Sequence, residues 1–279
     1  MADQTFSFEL FPPKTEAGMD KLKDAVTELN AVNPAYFSVT YGAGGSTQAR
    51  TYATVDWLRD QGIDTAPHLS CIGSDRNEIL DILNRYKNQG IHRVVALRGD
   101  LPSGAGLGSL SDLRHANELV ALIRADLGDT FHIEVAAYPE MHPQAPNADT
   151  DLKNFKRKVD AGANGAITQY FYNADAYFDF VDRCEKSGIS IPITPGVMPI
   201  TNYSSLARFS ESCGAEIPRW IRKRLEAYGD DIASIRAFGE DVVTNMCERL
   251  LAGGAPGLHF YTMNQAGPTL AIWGRLGLG

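Results

Sequence analysis

A short run rich in β-branched and aromatic residues returns about every thirty positions along this chain, with a helical pattern in each interval. Eight runs can be read: Phe6–Leu10, Tyr36–Thr40, Ala66–Cys71, Arg93–Leu97, His132–Ala137, Gly165–Gln169, Ile191–Thr194 and Leu258–Tyr261. Helices are expected over Glu16–Ala31, Thr47–Gln61, Asp75–Gln89, Asp112–Leu127, Ala148–Ala161 and Ala174–Ser187. A helical crossover returns the chain to the same end of a sheet, so strands joined this way run parallel. Eight is also the number that closes a barrel, so the repeat predicts an α/β fold of the (β/α)8 TIM-barrel type. Thr201–Tyr228 reads as two extra short helices before the last βα unit, split by Gly214 and Pro218. A longer helix over Asp230–Leu251 precedes the last strand, and a closing helix is expected over Leu270–Leu276. No low-complexity stretch or linker marks a boundary, so residues 1–279 are expected to form a single barrel domain.

Alternation along each strand then sorts the side chains into two faces. In the first run Phe6, Phe8 and Leu10 oppose Ser7 and Glu9; in the second, Phe37 and Val39 oppose Ser38 and Thr40. Pro67 and Leu69 oppose Ala66, His68 and Ser70, and Val95 and Leu97 oppose Ala96 and Arg98. Ile133, Val135 and Ala137 oppose Glu134, Ala136 and Tyr138, while Leu258 and Phe260 oppose His259 and Tyr261. Helices would cover the outside, so the polar face is expected to line the barrel axis. Such a lumen is normally filled by Val, Ile and Leu. One that ends in Glu9, Thr40, His68, Arg98, Asp100, Tyr138 and Gln169 reads as a ligand site. The fourth strand gives the sharpest signal. It breaks into Arg98-Gly99-Asp100, a cation, a bare backbone position and a carboxylate, followed by the glycine-rich residues 103–108 as lid or plain surface loop.

Composition removes several alternatives. A net charge of −8 argues against nucleic acid or an anionic membrane as the main partner. No apolar run approaches the roughly 20 residues of a membrane span, and the first residues do not read as a signal peptide. Cys71, Cys184, Cys213 and Cys247 are widely spaced without a CxxC pair, which points to free thiols in a cytoplasmic protein. The six histidines lack metal-ligand spacing, so no metal is expected.

The opening Phe6-Ser7-Phe8-Glu9-Leu10-Phe11-Pro12-Pro13-Lys14 resembles that of the methylenetetrahydrofolate reductases. The likeness continues through Ser38-Val39-Thr40-Tyr41-Gly42-Ala43, Ala66-Pro67-His68-Leu69-Ser70-Cys71, and Val95 to Pro102. It covers Val135 to Glu140, Lys156 to Ala163, Ala166 to Phe171 and His259-Phe260-Tyr261-Thr262-Met263-Asn264, in the manner of the short bacterial form. The resemblance implies an FAD enzyme that takes hydride from NAD(P)H and passes it to methylenetetrahydrofolate, giving methyltetrahydrofolate by a ping-pong scheme. Related readings are a flavoprotein run toward methyltetrahydrofolate oxidation, or a flavin- or folate-binding subunit without turnover. A homo-oligomer is also implied.

By the same resemblance Glu9 is the general acid that protonates the departing nitrogen of the folate's five-membered ring, and Asp100 tunes flavin and pterin electrostatics. Arg98 and Gly99 contact FAD, as do Tyr41, Ala43, His68, Ala116, Tyr138, His142 and Ala145. A helix carrying Asp151, Asn154, Arg157 and Lys158 completes the cofactor set. Asp151, Asn154 and Lys158 share a helical face, and Lys156-Arg157-Lys158 forms a basic knot suited to a pyrophosphate. Gln169 has both donors and an acceptor for a pterin edge or a nicotinamide carboxamide. Thr40 matches a residue near the nicotinamide, and Phe209 an aromatic that stacks on folate or dinucleotide. Neither Gly42-Ala43-Gly44-Gly45-Ser46 nor Gly104-Ala105-Gly106-Leu107-Gly108 has GxGxxG spacing, so the nicotinamide is not expected on a Rossmann unit. In two places the chain departs from the family. Gln265 stands where an arginine would hold the folate's benzoylglutamate tail, and Ser205 where a glutamine would contact folate; Arg208, Arg219 or Arg222 could supply the cation.

Overall fold

The computed structural model describes residues 4–41, 48–99 and 112–278. Its strands form one parallel sheet in the order β7-β6-β5-β4-β3-β2-β1-β9-β8. They span Thr5–Leu10 (β1), Tyr36–Val39 (β2), Thr65–Ser70 (β3), Arg93–Leu97 (β4), His132–Ala137 (β5) and Gly165–Thr168 (β6). Ile193–Thr194 (β7), Gly196–Val197 (β8) and Gly257–Tyr261 (β9) complete the set. The two end strands are neighbours in sequence, separated only by Pro195. They act as one bent stave that pairs with β6 through Ile193 and Thr194 and with β9 through Gly196 and Val197. The sheet is thereby drawn into an eight-staved barrel. The seventh stave starts two residues later than the expected Ile191, because Pro192 and Pro195 lack the N–H that a ladder needs.

Six helices alternate with the first strands: α1 (Glu16–Asn30), α2 (Gln48–Asp60), α3 (Arg76–Asn88), α4 (Ala116–Leu127), α5 (Ala148–Asp160) and α6 (Ala174–Lys186). Local chemistry sets their ends. Thr15 accepts from Gly18 N at 3.1 Å, Asp75 and Glu78 close a reciprocal cap, and Asn147 accepts from Thr150 N at 2.8 Å. The fourth helix begins at Ala116 rather than at Asp112. Glu118 accepts from the main-chain N–H groups of Arg114 and His115 and holds His115 extended. The extra segment is α7 (Tyr203–Cys213) and α8 (Arg219–Tyr228), divided at Gly214 in the left-handed conformation. The chain ends with α9 (Ile232–Ala252) and α10 (Ala266–Arg275). The latter starts before the expected Leu270, because proline is tolerated in a first helical turn and Pro268 falls there. Trp273 of α10 packs edge-on to Phe6 and Phe8 at 5.1 and 5.7 Å, closing the shell over the β1–β9 seam. Among the described residues no helix is long and apolar enough to cross a membrane, and no cluster of His, Cys, Asp and Glu could hold a metal ion.

The faces of β1, β2, β3, β5 and β9 fall as alternation predicts. Phe8, Phe37, Leu69, Val135 and Phe260 join the shell core, whereas Tyr36, Ala66 and Ile167 pack inside the barrel. β4 is reversed. Val95 and Leu97 face the axis and Ala96 the helices, so Arg98 is carried to the shell side. Both faces of this strand are apolar within its length, so composition alone cannot phase it.

Candidate active site

The lumen is layered. At its floor Glu134, 6% exposed, accepts from Arg93 Nη1 at 2.5 Å and lies 2.9 Å from His132 Nε2, with the Arg93 guanidinium 4.6 Å above the Tyr36 ring. This is a structural plug. Higher up, wholly buried His259 is held between Ser7 Oγ at 2.7 Å and Ser38 Oγ at 3.4 Å. Above it comes Glu9, whose Oε2 lies 3.4 Å from His68 Nε2 and 3.9 Å from His259 Nε2. Burial pushes the His68 pKa below its usual value, with Glu9 opposing, so His68 is a neutral neighbour at pH 7 rather than a counter-charge.

Glu9 opens into a cavity of about 380 Å3 at the carboxyl ends of the strands, where barrel enzymes bind ligands. Thr40, His68, Tyr138, Gln169 and Phe209 share its wall, with Tyr41 at one side. Gln169 Oε1 accepts from Tyr170 N at 3.0 Å, which leaves the amide NH2 for a ligand. The Glu9 main chain is fixed by Thr262 Oγ1, which donates to its carbonyl at 2.6 Å. Met263 and Asn264, both at positive φ, carry the chain over this point; the Asn264 amide bonds both the N–H and the carbonyl of Phe11. Such conformations cost energy and are retained where surrounding contacts enforce them. Here they bring Met263 into the cavity wall.

A second cavity, of about 250 Å3, adjoins the first through Tyr41 and Tyr138 and reaches out between β4, β5 and helices α4 and α5. Arg98, Gly99, Ala116, His142 and Lys158 line it. Lys158 donates to the Ala136 carbonyl, and loss of surrounding water pulls its pKa down to about 8, with Asp151 opposing. Asp151 also accepts from His142 N at 2.9 Å, and the His142 ring meets Tyr138 edge-on at 4.5 Å. The basic run does not act as one knot. A helix turns about 100° per residue, so Lys156 pairs with Asp160 at 2.6 Å and Arg157 with Asn154 at 3.0 Å, while Lys158 alone lines the cavity. Ala145, Asp151, Asn154 and Arg157 are not among the residues that line this cavity, and Asp151 meets one that does, His142, through its N–H. Ala43 and Asp100, and both glycine-rich loops, lie outside the described residues.

The family profile for methylenetetrahydrofolate reductase matches residues 1–277. The chain belongs to that family. The 5,10-methylenetetrahydrofolate reductase of Escherichia coli (strain K12) is 40% identical over 98% of this chain and 90% of its own length. The enzyme of that name from Buchnera aphidicola subsp. Acyrthosiphon pisum is 41% identical over 98% and 91%. A probable methylenetetrahydrofolate reductase (NADH) of Oryza sativa subsp. japonica is also 41% identical over 98% of this chain, which spans 48% of that longer protein. Among solved structures, an uncharacterized Clostridium thermocellum protein that binds two copies of 5-methyl-5,6,7,8-tetrahydrofolic acid superposes with a TM-score of 0.69. It does so over 99% of this chain and 94% of its own, at 16% identity, a likeness of fold.

Methylenetetrahydrofolate reductases of this kind are FAD enzymes, and the second cavity suits that cofactor. Among the described residues the Lys158 ammonium meets the Ala136 carbonyl, the Phe155 ring at 5.4 Å and the charge of Asp151, and it is short of counter-charge, which an anionic pyrophosphate would supply. Gly99 serves the wall differently from the expectation. At φ 86° its absent Cβ would stand 1.9 Å from Ser70 Oγ, so the glycine makes room for β3 rather than for a ligand alone. Sequence reading missed the inner wall of the first cavity, Leu97, Met198, Tyr170 and Cys213. Tyr170 and Cys213 left a signal in the aromatic run after β6 and in the end of α7. Their hydroxyl and thiol meet at 3.4 Å across 43 residues, which no local pattern reports.

Proposed function

We propose that the mouth of this barrel carries out the family's reaction, the reduction of methylenetetrahydrofolate to methyltetrahydrofolate with NAD(P)H, and that Glu9 is its general acid. The observation that carries the assignment is the adjacency of two cavities. Glu9, His68 and Gln169 share one, and Arg98, His142 and Lys158 line the next, with Tyr41 and Tyr138 between them. FAD, when bound, supplies the chemistry of accepting hydride from the nicotinamide and releasing it to the folate. Lys158 and Arg98 would hold its anionic part, Gly99 and Ala116 would let main chain and helix start approach it, and Tyr41 and Tyr138, common to both cavities, would flank the opening through which it meets the substrate.

The chain's own work on the folate is proton transfer and positioning. Hydride can reach the bridging carbon only once the carbon–nitrogen bond of the five-membered ring opens, and that opening needs a proton on the departing nitrogen. The Glu9 carboxyl, at the top of the polar column, is placed to donate it. The Gln169 NH2 would fix the pterin edge, or in the other half-reaction the nicotinamide carboxamide, near Thr40. Phe209, 37% exposed beside the cavity, offers a flat apolar face to the aromatic part of either ligand. One substrate space serving two ligands requires that they take turns.

Anaerobic stopped-flow spectroscopy near 450 nm, roughly where oxidised flavin absorbs, tests this directly. NADH is expected to bleach the flavin of wild-type protein and methylenetetrahydrofolate to restore it. Glu9→Gln is expected to keep the bleaching and slow the recovery by about 100-fold or more, the usual contribution of a general acid. Equal recovery rates in the two proteins would overturn the assignment of Glu9.

A further inference from the structure

We propose that Arg236 of α9 is the cation that binds the carboxylate-bearing glutamate tail of the folate, and so sets folate affinity in this chain. The inference rests on the reading of function above and names the outer subsite of the same site. A third cavity, of about 340 Å3, continues outward from the folate cavity, with which it shares Met198, Phe209 and Met263. Both departures from the family pattern, Ser205 and Gln265, line this outer cavity. Neither carries a charge, yet a folate tail brings two carboxylates to whichever opening it leaves through.

Arg236 is the one charged side chain in the wall of this outer cavity among the described residues. It is exposed, and among the described residues no carboxylate pairs with it, unlike Arg249 or Arg275 on neighbouring surfaces. Of the other cations considered, Arg208 stacks over Phe209 at 5.6 Å, and Arg219 and Arg222 line neither cavity.

Helix geometry explains how Arg236 reaches the groove. Ile232, Arg236 and Gly239 are spaced i, i+4 and i+7 and share a face of α9. Ile232 and Arg236 line the cavity, and Gly239 lets the helix press onto the chain that follows β8. A Cβ at Gly239 would stand 2.5 Å from the Ile200 carbonyl oxygen and 2.6 Å from Ile200 Cβ. The helix backbone that carries Arg236 is therefore held against the groove by a close contact on the same face. Its forked donors can meet a carboxylate two at a time, which an amide such as Gln265 cannot match with charge.

The test is steady-state kinetics of the FAD-loaded enzyme with methylenetetrahydrofolate and with its analogue lacking the glutamate, methylenetetrahydropteroate. Wild type is expected to favour the tailed substrate through KM. Arg236→Ala is expected to raise KM for the tailed substrate about tenfold, what an exposed charge-assisted contact contributes, while kcat and the KM for the tail-less analogue stay within about twofold. Arg236→Lys should recover part of the loss, and Gln265→Arg introduced into Arg236→Ala should recover more. Flavin content and bleaching by NADH show whether each variant is intact. An intact Arg236→Ala enzyme with unchanged KM for the tailed substrate, or a wild type indifferent to the tail, overturns the proposal alone. A wild type that turns over neither folate overturns instead the functional reading beneath it.

Discussion

Lys158 offers a test in which stability and cofactor binding move in opposite directions. The side chain is half-buried, its open surface facing the second cavity, and its pKa falls from 10.5 to about 8. At face value that difference is about 3 kcal/mol against the charged form. The cavity admits water, so about 1–2 kcal/mol is the part to expect in stability. The sign follows from proton counting. The folded pKa lies below the unfolded one, so the unfolded chain holds more protons between pH 8 and 10.5, and apoprotein stability rises with pH across that window. Below about pH 8 the penalty is present in full. Lys158→Met removes it, and the Ala136 carbonyl left behind faces the cavity and its water. At pH 7 the apo variant should melt about 2–4 °C above wild type, since in a chain of this size 1 kcal/mol moves Tm by about 2 °C. The gap should close by pH 10.5. On the proposed assignment the charged amine holds the FAD pyrophosphate, so the Kd for FAD should rise about ten- to a hundredfold in the variant. In wild type the affinity should weaken as pH climbs above about 8. Differential scanning calorimetry of apoprotein against pH and fluorescence titration with FAD measure the two quantities. A variant that binds FAD as tightly as wild type, or an apo variant less stable at pH 7, would refute the reasoning.

Two further substitutions probe the frame around the site. Gly99→Ala forces a side chain at φ 86° against Ser70 Oγ, and a loss of about 2 kcal/mol with weaker FAD binding is expected. Adding Ser70→Gly should return the steric part while the backbone part persists, as urea melts of the single and double variants would show. Glu134→Ala leaves Arg93 without its carboxylate at the barrel floor, which should cost about 3 kcal/mol, the low end for a broken buried pair because Arg93 is partly open to solvent. The kcat of that variant should match wild type, since the floor lies below the layer of His259; a fall in kcat at unchanged flavin content would tie the plug to the site.

The eightfold repeat was legible because each strand signal is local and each interval is long enough for one crossover helix. The faces of β1, β2, β3, β5 and β9 were legible for a second reason: Glu9, Ser38, His68, Glu134 and His259 could not all be turned toward a hydrophobic helix layer. On β4 that argument has no purchase, because Val94, Val95, Ala96 and Leu97 suit either side, and Arg98 was assigned to the axis that it does not face. The seventh stave was displaced because proline acts through its missing donor, which hydropathy does not count. Likewise Lys156-Arg157-Lys158 is a single cluster in sequence but divides around a helix. The groove of Ser205, Arg236 and Gln265 was out of reach altogether, since it joins three elements whose packing turns on Gly239 and Ile200.

Height along the lumen was nevertheless readable, though alternation supplies only the face. Glu134 is the third of six residues in β5 and Glu9 the fifth of six in β1. In a parallel barrel all strands start at one end, so a residue's place within its strand is its height above the floor. An inward carboxylate in the first half of a strand must be neutralised by neighbours in a closed space, as Arg93 neutralises Glu134 while His132 lies within hydrogen-bond distance. One in the last rung opens to ligands and needs no such partner. Among the described residues no Lys or Arg pairs with Glu9, whose neighbours are His68, lowered in pKa by burial, and His259 at 3.9 Å, and this difference separates the plug from the proposed proton donor on the same inward face.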